Sequence, residues 1–336
     1  MLLVKNMKEF RTELKIVPSP VTMGLKSAVL TQGSCFSDAI GRRLQMFKLN
    51  ALANPFGVIY NPDSIHKVLT YGIFNEPVPE HTYLRQHDLF LNYDVHSEFS
   101  ALKKEELVSH LMNTIGATHY FLRDTDWLIL TYGTAWVYRR KETGEIVANC
   151  HKLPATMFSR SLLNVDSIVS SFSSFFEHLK KFNPQIRIVL TVSPVRHLKD
   201  TLEMNSVSKS VLRVACHQLS SEYQDVGYFP AYEILMDDLR DYRFYKPDML
   251  HPTAEAEDYI WEKFVERYFS PDLKDFTAKW RGILSALGHK PFHPEASAHQ
   301  QFLRDTLKKL DELKAQVDVD EEIAIIKQQI LNPDRS

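Results

Sequence analysis

Several short apolar runs along the chain have the length and the flanking turn residues of buried β-strands. They cover residues 27–32, 127–131, 186–192 and 226–232. Between these runs, apolar residues recur at spacings of three or four, the period of an amphipathic helix. This second pattern predicts helices over residues 36–47, 62–71, 104–122, 162–182, 207–223 and 253–269. Because strands alternate with helices, the sequence predicts an α/β protein with a mainly parallel sheet that helices cover on both faces.

The segments outside this alternation predict an arm and an extension. Residues 1–26 are expected to form an N-terminal arm, and residues 27–270 the α/β domain. Residues 72–100 lack a clear period and are expected to be irregular. Residues 271–336 are expected to form a loosely patterned connector, up to 292, and a helical extension. Along the extension runs an apolar stripe made of Leu303, Leu307, Leu310, Leu313 and Val317.

The apolar stripe predicts one helix over residues 300–317 with these side chains buried. A stripe of this kind facing water would create an exposed apolar patch. Either the α/β domain covers it, or a second copy of the chain covers it in a homodimer. Both arrangements remain open at the level of sequence.

Composition narrows the choice of partners and compartment. The chain has 336 residues, a formal net charge of −2 and a pI near 6.7, so no field attracts nucleic acid or an anionic membrane. Cys35, Cys150 and Cys216 form neither a disulfide framework nor a CxxC zinc pair. The apolar run before Lys5 is too short for a secretory signal, and no window resembles a membrane span. We therefore expect a cytoplasmic protein with reduced thiols and no membrane partner.

One candidate for chemistry is the sequence Asp248-Met249-Leu250-His251. An Asp three residues before a His can accept a hydrogen bond from the imidazole Nδ1–H, which leaves Nε2 free to take a proton from a nucleophile. The alternative interpretation is a surface turn whose polar groups cap the helix predicted after it.

A second candidate is the turn after the first predicted strand, where Ser34, Cys35 and Ser37 lie close to the start of a helix. The positive end of a helix can hold an oxyanion and can lower the pKa of a thiol. Alternatively, Cys35 is simply a small buried apolar residue. Gly33, Gly133 and Ser193 all follow predicted strands, so this turn is expected at the carboxyl edge of the sheet, where ligands bind in such folds.

Six blocks of the sequence together resemble the GSCFA family, which is similar to the SGNH/GDSL hydrolases. They are TQGSCFSDAIGRRL, NPFGVIYNP, LTYGTAWVY, NCHKLP, TVSPVRH and YEILMDDLRDYRFYKPDMLHPT, and they span roughly residues 33 to 253 in the family's order. The resemblance implies a flavodoxin-like three-layer sandwich of the SGNH-hydrolase type. It also implies a cofactor-independent esterase or acylhydrolase activity.

The resemblance also assigns roles to individual residues. Cys35 falls at the position of the nucleophilic Ser of GDSL hydrolases, with Ser34 at the neighbouring position, while Ser37 stands where the family motif has Ala. Asp248 and His251 match the last block unchanged. Gly57 resembles the Gly that supplies an oxyanion donor in those hydrolases.

The sequence departs from the hydrolase pattern at the oxyanion site. Ala135 stands where the Gly-x-Asn motif has its Asn, and the loss of one such donor costs about 10²–10³ in rate. Either another donor replaces it or the reaction is altered or lost. Thr134, Asn149 and Asn54 are the candidate donors, and sequence alone does not choose among them. His151 is a further candidate for the site, or else a His that binds a loop backbone, and Arg196 is a candidate for an anionic substrate group. A metal site built from His151, His197 and His251 has no supporting spacing, so none is expected.

The leading functional interpretation is therefore transfer or hydrolysis of an acyl group on a small-molecule or carbohydrate-linked substrate. Cys35 would attack, with His251 as base and Asp248 holding it. The competing interpretation is a binding module that keeps the cleft but has lost the reaction, which Ala135 favours. A scaffold that uses the C-terminal helix as its partner site is the third.

Overall fold

The computed structural model describes residues 11–331, so parts of the predicted arm and extension lie outside the described residues. Its central sheet contains five parallel strands: β1 (Ala28–Gly33), β2 (Asn50–Ala53), β5 (Trp127–Tyr132), β9 (Arg187–Val192) and β10 (Val226–Phe229). They lie in the order β10-β9-β5-β1-β2. Counted along these core strands alone, the order is 2-1-3-4-5, which is the flavodoxin-like arrangement. The fold class predicted from the sequence is confirmed.

Helices cover both faces of this sheet. One face buries an apolar cluster contributed by α2 (Pro62–Phe74), α3 (Lys104–Arg123), α4 (Val165–Phe182) and α5 (Thr201–Glu222). The other face packs against α1 (Cys35–Met46) and α7 (Ala254–Tyr268). A short helix α6 (Ala231–Glu233) runs into a π-helical segment, Ile234–Leu239, between β10 and α7. No helix in the described range is long and apolar enough to cross a membrane.

Two small antiparallel units decorate the sheet. The segment predicted to be irregular contains a hairpin of β3 (Tyr83–Gln86) and β4 (Leu89–Asn92). A second unit joins β6 (Trp136–Arg140), β7 (Ile146–Val147) and β8 (Phe158–Leu162). Because residues 158–162 pair with β6, α4 begins three residues later than the sequence predicts. These strands are short and half-exposed, so their alternation is weak in the sequence.

The C-terminal region is more helical than the sequence predicts. The supposed connector is largely helix α8 (Pro271–Leu287), whose N-cap Ser270 accepts a bond from the N–H of Leu273. Two further helices follow, α9 (Ser297–Leu313) and α10 (Asp320–Leu331). The predicted helix over 300–317 thus ends four residues early, where the chain turns towards α10.

The apolar stripe of α9 is buried within the same chain. Leu303, Leu310 and Leu313 join the cluster that also contains the inner faces of α1, α7 and α8, and Leu307 and Val317 pack against it. The stripe is therefore used by the fold itself, and a homodimer would have to form through other residues.

Candidate active site

The site is built on the turn that leaves β1. Gly33 has a φ of +153°, and a Cβ there would lie 2.2 Å from the carbonyl oxygen of Thr131 on the neighbouring strand β5. Its N–H donates to Asn54 Oδ1 (2.9 Å), and the N–H of Ser34 donates to the carbonyl of Thr131 (3.1 Å). A glycine is needed because the two backbones approach so closely. The turn then places Cys35 as the first residue of α1, at the carboxyl end of β1.

Cys35 is half-buried, and its Sγ lies 3.6 Å from Nε2 of His251. The N–H groups of Cys35 and Phe36, at the start of α1, lower the pKa of the thiol, but burial outweighs them and raises it above its ordinary value. The lowering of the thiol pKa that a helix start can produce is therefore outweighed by burial in the resting site. Cys35 is a neutral thiol there, and it needs a base to become a nucleophile.

His251 is held for that task by Asp248. The Oδ2 of Asp248 lies 2.7 Å from His251 Nδ1, while Oδ1 accepts the backbone N–H groups of Leu250 (2.8 Å) and His251 (3.0 Å). These hydrogen bonds, that of the His251 N–H first, lower the pKa of Asp248 to about 2, so the carboxylate is ionised at neutral pH. With Nδ1–H donated to Asp248, the Nε2 that faces Cys35 carries the lone pair. The structure thus brings together the three side chains that the sequence selected.

The two serines of the turn are placed differently from Cys35. Ser34 and Ser37 are fully buried, and within the described chain neither hydroxyl has a hydrogen-bond partner. Ser34 packs beneath Gly133, where an added Cβ would lie 3.3 Å from the Cβ of Ser34. Ser34 therefore faces the interior of the turn, and Cys35 is the residue that faces the cleft.

Most of the expected oxyanion donors are occupied. The N–H of Gly57 donates to the carbonyl of Asn54 (2.8 Å), which leaves that residue without a free donor. Thr134 Oγ1 lies 3.0 Å from Ser208 Oγ, and the N–H of Ala135 donates to the same hydroxyl (2.8 Å). The role expected for Gly57, and the one considered for Thr134, are thus not supported by these hydrogen bonds.

Asn54 is the exception among the candidate donors. Its Oδ1 is fixed by the N–H of Gly33, so its Nδ2 is the remaining amide group, and this atom is buried without an acceptor in the described residues. Asn54 also has a φ of +42° at the end of β2. Of the three replacements that the sequence left open, Asn54 is the one with a donor to spare beside the Gly33 turn.

Asn149 and His151 belong to a separate cluster. Asn149 Nδ2 donates to Ser97 Oγ (3.0 Å), and its Oδ1 accepts the N–H of His151 (2.8 Å). His151 Nε2 lies 2.7 Å from the carbonyl oxygen of Asn92, and burial lowers its pKa. His151 is therefore a histidine that binds a loop backbone, the second of the interpretations open from the sequence.

Arg196 and His197 follow β9, and their side chains contact different parts of the molecule. The guanidinium of Arg196 lies 4.0 Å from the ring centre of Tyr245, at the edge of a second cavity of about 350 Å³. His197 packs edge-on against Tyr60, and burial, with the nearby charge of Lys209, lowers its pKa to about 3. The charge of His251 also lowers the pKa of His197, so these two lie near each other, but the described residues contain no cluster of three metal-ligating side chains.

A cavity of about 450 Å³ opens beside Cys35 and His251. Arg42, Arg43 and Lys246 bring positive charge to its walls. Arg42 is paired with Asp38, and Arg43 with Asp258 and Glu257, whereas Lys246 has no acidic partner among the described side chains. The Cys35 thiol faces this cavity, whose volume is large enough for a small acyl compound.

Comparison with protein families agrees with the six sequence blocks. The model of the GSCFA family matches residues 28–264, and that of the GSCFA domain protein, C-terminal domain, matches residues 280–332. The chain belongs to the GSCFA family. No curated protein matches it by sequence search.

Three solved structures are similar to this GSCFA protein at low identity. One is a protein from Streptococcus pneumonia described by the name platelet activating factor, with a TM-score of 0.37, 13% identity and coverage of 75% of this chain and 84% of that one. A carbohydrate esterase family 3 protein from Talaromyces cellulolyticus has a TM-score of 0.34 and 7% identity over 76% and 99% of the two chains. A mutant acetyl esterase with acetate ion has a TM-score of 0.35 and 9% identity over 76% and 99%.

One residue beside the GSCFA turn was not found from the sequence. Lys209 of α5 is 1% exposed, and its Nζ donates to the carbonyl oxygens of Gly133 (2.7 Å) and Ser193 (2.7 Å). Gly133 and Ser193 directly follow β5 and β9, so the hydrogen bonds of Lys209 link the carboxyl ends of these two strands. The sequence does contain a signal for the burial of Lys209. It lies three, seven and ten positions before Leu212, Cys216 and Leu219, so it falls on the same face of the predicted helix as these buried residues.

Proposed function

We propose that this protein is an acyl hydrolase or acyltransferase that acts on ester or thioester bonds through Cys35. The observation that carries the proposal is the hydrogen-bonded chain from Cys35 Sγ through His251 to Asp248, which opens on a cavity of about 450 Å³. A nucleophile, a base and a group that orients the base form the arrangement used in covalent catalysis.

In the proposed reaction, His251 Nε2 takes the proton of the Cys35 thiol as Sγ attacks the substrate carbonyl carbon. The carbon–oxygen or carbon–sulfur bond to the leaving group then breaks, and His251 returns the proton to that group. The product on the enzyme is a thioester at Cys35. Water or an acceptor hydroxyl, deprotonated by His251, next attacks this thioester and regenerates the thiol.

The oxyanion of the tetrahedral intermediate needs hydrogen-bond donors. The N–H groups of Cys35 and Phe36 lie at the start of α1, where no carbonyl of the preceding turn accepts them. Asn54 Nδ2 is the side-chain donor that we assign to the same role, in place of the Asn absent at position 135. The substrate is proposed to be a small-molecule or carbohydrate-linked acyl compound in the cytoplasm, where Cys35 stays reduced.

A non-catalytic binding module is the second candidate, and one observation favours it. Burial raises the pKa of Cys35, as it would for a cysteine that only packs. The two candidates differ in whether Cys35 forms a covalent intermediate.

The test is hydrolysis of short-chain nitrophenyl esters and thioesters by the purified protein and three variants. Cys35→Ala is expected to abolish turnover, and Ser34→Ala to keep a substantial part of it. Cys150→Ala is the matched control, since Cys150 is the other half-buried thiol, and it should leave turnover unchanged. Full activity in Cys35→Ala would sink the proposal, and absence of any acyl-enzyme mass on Cys35 would favour the binding module.

A further inference from the structure

Lys209 is a buried lysine whose ammonium form has no counter-ion among the described residues. Its Nζ donates two hydrogen bonds, both to backbone carbonyls, and no carboxylate of a described residue forms an ion pair with it. Taking an ammonium group out of water without an opposite charge is costly, and the two carbonyl dipoles offset only part of that cost. A buried residue of this kind beside a candidate site is a candidate for a functional role.

The groups around Lys209 come from four elements. Gly133 and Ser193 follow β5 and β9, and Tyr232 of α6 has its ring centre 5.9 Å from Nζ. Gly133 packs on Ser34, the residue before Cys35 of α1, and Cys35 interacts electrostatically with Lys209. His197 and the ring of Tyr60 stand nearby, and His197 is neutral at physiological pH. Among these neighbours, only Cys35 can acquire a negative charge without a strongly basic solution.

The charges of Lys209 and Cys35 reinforce each other. Lys209 lowers the pKa of the Cys35 thiol. Burial lowers the pKa of Lys209 to about 7, even though the charge of Cys35 acts in the opposite direction and raises it. Loss of the thiol proton to His251 therefore creates the counter-charge that Lys209 lacks in the resting state. The third N–H of Nζ is not used by another described residue.

We propose that Lys209 is a positioning residue whose ammonium group is the charge partner of the Cys35 thiolate. This inference builds on the proposed function, but it concerns the ionisation of Cys35 and is measured without an acyl substrate. A purely structural role, in which Lys209 only joins the ends of β5 and β9, predicts no effect on that ionisation.

The test is the pH profile of Cys35 alkylation by iodoacetamide, read by mass spectrometry of the Cys35 peptide between pH 6 and 10.5. Lys209→Gln keeps amide N–H donors for the two carbonyls but removes the charge, whereas Lys209→Arg keeps the charge. We expect the midpoint of the profile to move up by about one to three pH units in Lys209→Gln and to stay near the wild-type value in Lys209→Arg. Lys263→Met is the matched control, since Lys263 is also buried but is paired with Glu13 on another face of the molecule.

The outcomes separate the two proposals. An unchanged midpoint in folded Lys209→Gln overturns the role of Lys209, whether or not esters are hydrolysed. A wild-type Cys35 that iodoacetamide does not label at any pH in the range overturns it as well. An upward shift together with no ester turnover supports the charge pair and counts against the proposed function instead. If Lys209→Gln does not fold, Lys209→Arg provides the test. An alkylation midpoint that moves upward in Lys209→Arg, which keeps the charge, would contradict the role of Lys209.

Discussion

At the scale of single residues, the orientation of His251 depends on one acceptor atom, Oδ2 of Asp248. Asp248 uses Oδ1 to hold the backbone of its own turn and Oδ2 to hold the imidazole of His251. The two functions can therefore be separated by a substitution that changes only one oxygen.

We expect Asp248→Asn to preserve the turn and to lower turnover about 10²-fold or more, because the new amide N–H₂ replaces the acceptor of His251 Nδ1–H. The imidazole would then present the wrong tautomer to Cys35. Ester hydrolysis rates check this, and Asp241→Asn is the control, since Asp241 also accepts a backbone N–H in an exposed turn but lies outside the chain from Cys35 to Asp248. Equal loss in both variants would contradict the assigned role.

The pH dependence of Cys35 follows from the direction of its pKa shift. Burial raises the pKa, so the thiolate fraction is small at pH 7 and grows about tenfold with each unit until the pKa is reached. We expect alkylation of the wild-type protein to keep rising up to at least pH 9. A plateau below pH 8 would show a thiolate already formed at neutral pH.

At the scale of elements, the sequence predicted the regular parts well and the site only in part. Four of the five core strands and the α1 and α7 helices carry apolar patterns, because they are packed on at least one full face, whereas β2 is four residues long, is partly exposed and was missed. The β3–β4 hairpin and α8 were missed, the first because its strands are short and half-exposed. In α8 the buried positions Leu273, Phe276, Trp280 and Ile283 do repeat at helical spacing, but flanking prolines and glycines obscure the pattern.

The same division applies to the candidate site. Cys35, Asp248 and His251 were found because each lies in a short local motif, and their convergence follows from strand ends meeting at one edge. Lys209 and the unpaired amide of Asn54 were missed or left open because their importance comes from tertiary burial. Gly57 was assigned by position, yet its N–H is taken by a turn hydrogen bond that sequence does not reveal.

The start of α7 joins the site to the packing of the domain. Thr253, two residues after His251, caps the helix by accepting the N–H of Ala256 (3.3 Å). We expect Thr253→Ala to lower the free energy of unfolding by about 1 kcal/mol, measured by urea titration. Ser210→Ala, which removes an exposed hydroxyl from the surface of α5, should change it by only a few tenths of a kcal/mol. A smaller loss in Thr253→Ala than in the control would contradict the capping role.

At the scale of the whole molecule, the C-terminal helices are part of the same core as α1. Leu310 of α9 is 0% exposed within that cluster. We expect Leu310→Ala to cost about 2–5 kcal/mol of stability and to lower the single melting temperature of the chain. Leu202→Ala, at a leucine that is 55% exposed, should have little effect. An early, separate transition of the C-terminal region alone would show that the two parts fold independently.

The far end of α1 is fastened to that C-terminal region. Trp280 Nε1 donates to the carbonyl oxygen of Met46 (2.7 Å), and Lys48 pairs with Glu322 (2.7 Å). Cys35 stands at the opposite end of the same helix, which is a stiff rod of twelve residues. Helices α8 and α10 therefore hold the end of α1 that lies opposite Cys35. A gene fragment that stopped after α7 would encode every residue that lines the cleft beside Cys35. It would lack the contacts of α8 and α10 with the far end of α1, so we expect the two segments of the family to be inherited together.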